Sequence, residues 1–343
     1  MSTLKYSLCF LLIVLLWTGC KKAPEKIQIQ KLNGPYMGQT LKSDKPEIFA
    51  SGIVNTGMFT RDMAITPDGK EMYFTICGPK YSFSVIMVSK WMNGKHWAKP
   101  EVAWFASNSK YKYTEPCISH DGSKLYFVTN QPSDTTKDAS HYDIWVMDRF
   151  DTEWAKPRKL DAPVNSEYNE FFPSLTKDGS MYFTREMPNG GNQIMRSRFK
   201  NGSFQEPEAL PALINCGIDR FNAFIAPDET YLILPVYGMS AQQRDVDYYV
   251  FFRNANDQWS KPINMGPRIN SPGSDEYSAS LSPDGKYLFF MSAKQNPGFI
   301  KKGTRFTAKK IMGIHNAAGN GNPCVYWTHA SIIDSLKTCL NRP

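Results

Sequence analysis

The 343-residue sequence predicts an all-β chain folded as a single β-propeller of five four-stranded blades, and three repeated features predict it. A turn built on Asp recurs five times, four of them as Asp-Gly. An aromatic-x-x-Pro element follows each of the first four turns, and an apolar strand lies between turn and aromatic.

The turn copies run from Ala64 to Thr75, Cys117 to Val128, Ser174 to Thr184, Phe224 to Leu234 and Ser280 to Met291. Their aspartates, Asp68, Asp121, Asp178, Asp228 and Asp284, are spaced by 53, 57, 50 and 56 residues, a period that holds one blade. In the turn, Pro presets φ, Asp bonds nearby backbone donors, and Gly takes the positive φ that closes a hairpin. Glu229 stands where Gly does elsewhere, so the fourth turn should be more strained or differently shaped. His120 and Lys177 replace Pro at a position where Pro is only favoured.

The aromatic elements are Trp97-Ala-Lys-Pro100, Trp154-Ala-Lys-Pro157, Phe204-Gln-Glu-Pro207 and Trp259-Ser-Lys-Pro262. A large ring packs well between blades, and Pro is tolerated on an edge strand. The intervening strands read Val85 to Val88, Ile144 to Met147, Gln193 to Arg196 and Tyr248 to Phe251. The fifth unit lacks the aromatic-x-x-Pro element and ends in Val325-Tyr-Trp327 and a helix-like 330–336. Pro46-Glu-Ile-Phe49 matches the segments after the other prolines, so the N-terminal strand should complete the last blade and close the ring. An irregular blade within 292–323 would make six.

These repeats resemble the PD40, or WD40-like, β-propeller family related to the propeller of TolB, over residues 46–337. The resemblance implies the fold; members of such families are binding platforms, enzyme domains or assembly parts, so it implies no single activity.

The N-terminus carries Lys5, the apolar run 8–17 and Thr18-Gly19-Cys20, which reads as an export signal over 1–19. Cys20 after Gly19 resembles the lipobox of bacterial lipoproteins, with Trp17 a departure from the usual branched residue. The resemblance implies a diacylglycerol on Cys20 and a mature chain anchored to the cell envelope, with Lys21 and Lys22 resembling proteins sorted to the outer membrane. A plain signal peptide is the alternative. Residues 20–45 read as a tether and 338–343 as a tail.

Seven cysteines include Cys9 and Cys20; the remaining five, with Cys324 and Cys339 the shortest possible loop, have no CxxC spacing. The scattered histidines make no metal site, and no nucleotide or other cofactor motif occurs. The formal charge of +8 is spread through sign-mixed segments and gives no reason to expect nucleic acid as a partner. The exception is 293–323, rich in Lys and Arg, which suits a cap over one channel mouth, an anionic partner such as lipid headgroups, or a solvated loop.

Innermost strands line a propeller's channel, which singles out the charged residues just upstream of each turn. Arg61 and Asp62, Glu115, Glu170, Asp219 and Arg220, and Asp275 and Glu276 fall there. Asp62 and Glu115 precede their turn aspartate by six residues and Glu170 and Glu276 by eight, offsets that place them on one strand face if no bulge intervenes. The expected result is a carboxylate ring at the channel mouth. It suits ligand binding through Asp62, Glu115, Glu170, Asp219, Arg220 and Glu276, or glycan hydrolysis by two of Glu115, Glu170 and Glu276, or purely structural bonds between blades. The functional expectation is a noncatalytic platform for an envelope protein or glycan, membrane-attached through its lipid.

Overall fold

Five antiparallel blade sheets are formed among the described residues, with the small pair Phe199–Lys200 and Ser203–Phe204 beside them, and each blade has an inner strand that runs into an Asp-Gly turn, or into Asp228-Glu229 in the fourth. The first blade pairs Phe59–Ile65, Glu71–Cys77 and Ser84–Met92, with Glu101–Val102 outermost. The second uses Tyr113–Ile118, Lys124–Thr129, Asp143–Phe150 and Arg158–Lys159. Glu170–Leu175, Met181–Glu186, Asn192–Ser197 and Glu208–Ala209 form the third. In the fourth, a divided inner strand, Asp219–Arg220 and Phe224–Ile225, pairs with Tyr231–Tyr237, followed by Val246–Phe252 and Ile263–Asn264. The fifth contains Glu276–Leu281, Tyr287–Ser292 and Cys324–His329. The computed structural model describes residues 32–134, 138–139 and 141–340, so the expected signal, Cys20, Lys21 and Lys22 lie outside it.

Strand periodicity explains how these sheets join. Successive side chains point to opposite faces, so each second strand feeds two interfaces. Met72 and Phe74 pack toward the fifth blade while Tyr73 packs toward the second; Leu125 and Phe127 face the first blade while Tyr126 faces the third. Five buried apolar clusters result, one at each junction. Trp97, Trp154, Phe204 and Trp259 all pack into these junctions, where the sequence places them. The fifth blade uses the C-terminal helix Ser331–Leu340 instead, setting Ile333 into the cluster between the fourth and fifth blades.

The ring closes as the Pro46 repeat predicts: Glu47–Ile48 pairs antiparallel with Tyr326 and Trp327 and supplies the outer strand of the fifth blade. Of the expected tether at 20–45, residues 32–45 are described, and part of this stretch is docked on the ring. Met37 is buried in the junction between the fifth and first blades, Trp97 Nε1 donates to the Gly34 carbonyl at 2.9 Å, and Tyr36 Oη donates to Asp284 at 2.8 Å. Residues 293–323 hold a helix, Ala308–His315, and no strand, so the described residues form five blades and this segment adds no sixth.

The turn aspartates shape their loops. Asp68 Oδ1 accepts from Thr66 Oγ1 at 2.6 Å and from the Lys70 N–H at 3.1 Å, and Asp284 accepts equivalent bonds from Ser282 and Lys286. Glu229 has φ 57, the left-handed conformation that Gly adopts in the other four turns. Its side chain accounts for its presence: Oε1 accepts from Tyr182 Oη at 2.7 Å, and Oε2 from Arg253 Nη1 at 2.5 Å.

Candidate functional site

A bulge interrupts every inner strand six residues before its turn aspartate. The residues at these points are Asp62, Glu115, Phe172, Asn222 and Ser278, with φ of 58, 57, 53, 52 and 63. Pairing registers shift there in the first, second, third and fifth blades, and the fourth inner strand is divided there. The left-handed conformation costs a non-glycine residue about 1–2 kcal/mol, and a bulge re-aims the side chain it carries.

These bulges overturn the expected ring of carboxylates. An extra residue changes the face on which every earlier side chain lies, so offsets of six and eight are not equivalent. Asp62 and Glu115 come together at the channel, while Glu170 and Glu276 turn away into the blades.

At the axis, Arg61 Nε donates to Asp62 Oδ1 at 2.7 Å and Arg61 Nη2 to Glu115 Oε1 at 2.5 Å. Asp62 Oδ2 accepts from the Glu115 N–H at 3.2 Å and from Thr114 Oγ1 at 3.1 Å. Glu115 Oε2 accepts from the Phe172 N–H at 2.7 Å, and its Oε1 from Asn222 Nδ2, which also reaches Ser278 Oγ at 3.3 Å. Side chains and backbone from all five blades thus meet in one buried network. Burial pushes the Glu115 carboxyl up to about 7, with Arg61 opposing the rise and Asp62 adding to it.

Strand direction gives the ring two sides, one carrying the Asp-Gly turns and the other the loops into each inner strand. On the loop side aromatic rings cover the network: Arg61 lies 4.8 Å from the Tyr277 ring centroid, and Tyr277 Oη is 2.8 Å from Tyr81 Oη. On the turn side a cavity of about 430 Å³ opens, within the range of small-ligand sites. Its walls include Ile65, Ile118, Leu175 and Leu281, while Asp62, Glu115, Phe172 and Ser278 line its floor. His120 and Lys177 reach its rim, where His120 Nε2 lies 2.9 Å from the Leu175 carbonyl.

The other carboxylates have local duties. Glu170 is fully buried; Oε2 accepts from the Ser166 N–H at 3.0 Å and Oε1 from Arg185 Nε at 2.8 Å. Glu276 Oε1 accepts from Ser292 Oγ at 2.9 Å, and burial raises this carboxyl to about 8. Asp219 accepts from Asn192 Nδ2 at 3.1 Å, and Arg220 Nη1 donates to the Asn192 carbonyl at 2.9 Å, linking the fourth blade to the third. Neither lines the turn-side cavity, and Asp275 instead accepts from the Val246 N–H at 3.2 Å.

A repeated asparagine escaped the sequence reading. Asn165 Oδ1 accepts from the Ile144 N–H at 2.9 Å while its Nδ2 donates to the carbonyls of Ile144 and Leu160. Asn55, Asn215 and Asn270 make corresponding bonds at three other junctions. The available signal was Val-Asn-Thr, Val-Asn-Ser, Ile-Asn-Cys and Ile-Asn-Ser at 54–56, 164–166, 214–216 and 269–271. Cys77, Cys117, Cys216 and Cys324 are free, and the Cys339 side chain lies outside the described residues. Among the described residues no group of three or more His, Cys, Asp or Glu side chains is placed to hold a metal ion.

No protein-family profile matches the sequence, and a search of curated proteins found no match. Solved structures similar to it include a TolB candidate from Agrobacterium tumefaciens, 12% identical over 79% of this chain and 90% of that one, with a TM-score of 0.43. The arabinanase Arb43A of Bacillus subtilis is 12% identical over 80% of this chain and 95% of its own, with a TM-score of 0.48. The periplasmic gluconolactonase of Pseudomonas aeruginosa is 13% identical over 68% and 64%, with a TM-score of 0.41. No activity follows from similarity at this level.

Proposed function

We propose that this chain is a noncatalytic binding module of the bacterial cell envelope, membrane-attached through Cys20, whose turn-side cavity receives a basic group of a partner, such as an arginine or lysine side chain. The observation that carries this reading is the charge imbalance on the cavity floor. Asp62 and Glu115 share a single guanidinium, that of Arg61. Ionised, the floor carries one uncompensated negative charge, and the Asp62 charge adds to the burial that holds the Glu115 carboxyl up. An ammonium or guanidinium group entering from the turn side would supply the missing charge. Its aliphatic stem would lie against Ile65, Ile118, Leu175 and Leu281.

Glycan hydrolysis has less support. A glycosidase needs two carboxyl groups flanking an open reaction centre. Glu170 and Glu276 are buried in separate blades, and Glu115 is tied to Arg61 and the Phe172 N–H.

The test is calorimetric titration of the unacylated Cys20→Ala chain with agmatine and with a capped Gly-Arg-Gly peptide, against neutral oligosaccharides. The reading expects saturable binding of the two cations at neutral pH. Oligosaccharide binding or turnover without cation binding would overturn it.

A further inference from the structure

The segment between the second and third strands of the fifth blade takes no part in the cavity. Residues 293–323 contain six Lys and Arg and no Asp or Glu. Five of these cations, Lys301, Lys302, Arg305, Lys309 and Lys310, are exposed.

The helix Ala308–His315 is a formed element: the Thr307 side chain caps it by accepting from the Lys310 N–H at 3.2 Å. Yet it buries no residue. A helix in a folded domain ordinarily turns its apolar stripe to the core. Here Ile311 and Met312 are 52% and 55% exposed, and Phe306 and Ile300 just before the helix are open to a similar degree.

The base of the segment is clamped. Asn320 Nδ2 and Asn322 Nδ2 donate to the Gly57 carbonyl at 3.1 and 2.8 Å, and the Thr60 N–H donates to the Pro323 carbonyl at 2.9 Å. A Cβ at Gly57 would stand 2.3 Å from the His315 carbonyl oxygen, so the close approach requires glycine. An apolar, purely cationic surface is therefore held out from the ring on a fixed base.

We propose that residues 300–312 dock on an anionic lipid surface. Ile300, Phe306, Ile311 and Met312 enter the boundary between headgroups and acyl chains while the five cations meet headgroup phosphates. Charge complementarity selects an anionic surface. The four exposed apolar side chains favour a bilayer over a soluble acidic partner, which would neutralise the cations and leave those side chains in water. Strand direction puts the segment on the loop side, so docking leaves the turn-side cavity open. The proposal uses no lipid on Cys20 and is independent of what the cavity binds.

The test is co-sedimentation of the unacylated Cys20→Ala chain with phosphatidylcholine vesicles containing or lacking about one-third phosphatidylglycerol. Partitioning should favour the anionic vesicles and weaken in high salt. Replacing the five cations by Gln should reduce it about 30-fold or more without changing the melting temperature, since each cation near such a surface contributes appreciably. Ile311→Ser with Met312→Ser should reduce it several-fold. Equal partitioning onto both vesicle types, or an unaltered Gln variant, would overturn the proposal. Full binding by the Ser variant would overturn it too, pointing to a charge-only contact with an acidic macromolecule.

Discussion

The Phe172 N–H donates to Glu115 Oε2 at 2.7 Å, tying a second-blade carboxylate to the third-blade backbone at the channel axis. Because Glu115 also receives Arg61 and Asn222, one side chain joins four blades. Removal of its charge and removal of its hydrogen bonds are separable. Glu115→Gln keeps an acceptor for the Phe172 N–H and should melt within a few degrees of wild type, whereas Glu115→Ala leaves Arg61 and that N–H short of partners and should cost about 3–5 kcal/mol in urea unfolding. Equal loss in both variants would contradict this division.

Glu276 should impose a pH-dependent cost on the fold. Burial raises its carboxyl to about 8, and Asp247 adds to the rise. A carboxyl raised in the folded state contributes stability that is fully present below its unfolded value and is lost as pH rises through about 8. Lys294 and Tyr248 also face it: Glu276 favours the Lys294 charge and disfavours that of Tyr248. Glu276→Gln should therefore match wild-type melting temperature near pH 5 and exceed it by a few degrees near pH 9. A difference constant across that range would refute the assignment.

The repeated asparagines are structural pins. Asn165 is buried and bonds both the N–H and the carbonyl of Ile144, on the third strand of the second blade, and the Leu160 carbonyl. Asn165→Ala leaves buried backbone groups without partners, each a cost of about 1–3 kcal/mol, and should lower unfolding free energy by roughly 2–4 kcal/mol. Asn165→Asp should be at least as damaging, because it loses the Nδ2 donor and places a charge among carbonyls. Urea titration of the two variants checks both.

Glu229 separates backbone strain from side-chain bonding. Glu229→Ala loses the bonds to Tyr182 and Arg253 and keeps a non-glycine residue at φ 57. Glu229→Gly loses the same bonds and relieves the strain. The Gly variant should be the more stable of the two by about 1 kcal/mol, and both should fall below wild type.

The five turns, the junction aromatics and the closing strand were legible because each follows from local chemistry: Asp-Gly fixes a turn, and a ring beside Pro marks an edge. In the structure, strand alternation sends Met72 and Phe74 to one junction and Tyr73 to the other. The axis was not legible, because a bulge without Gly leaves no letter pattern. Asp62, Glu115, Phe172, Asn222 and Ser278 share a conformation and no chemistry. A count by twos therefore joined Glu170 and Glu276 to a channel they do not reach. The asparagine pins were visible as a repeat, but small polar residues in loops read as ordinary turn formers until their partners are known.

Calorimetric titration of the unacylated chain with agmatine, carried out on wild type and on Glu115→Gln between pH 6 and 8, separates the possibilities. Binding a cation beside Glu115 lowers its raised carboxyl, so wild-type affinity should rise across that range with proton release. Glu115→Gln should bind at least tenfold more weakly and without that pH dependence, while remaining folded. Agmatine affinity that is identical in the two chains, or absent from both at every pH, would contradict a cation site on the cavity floor.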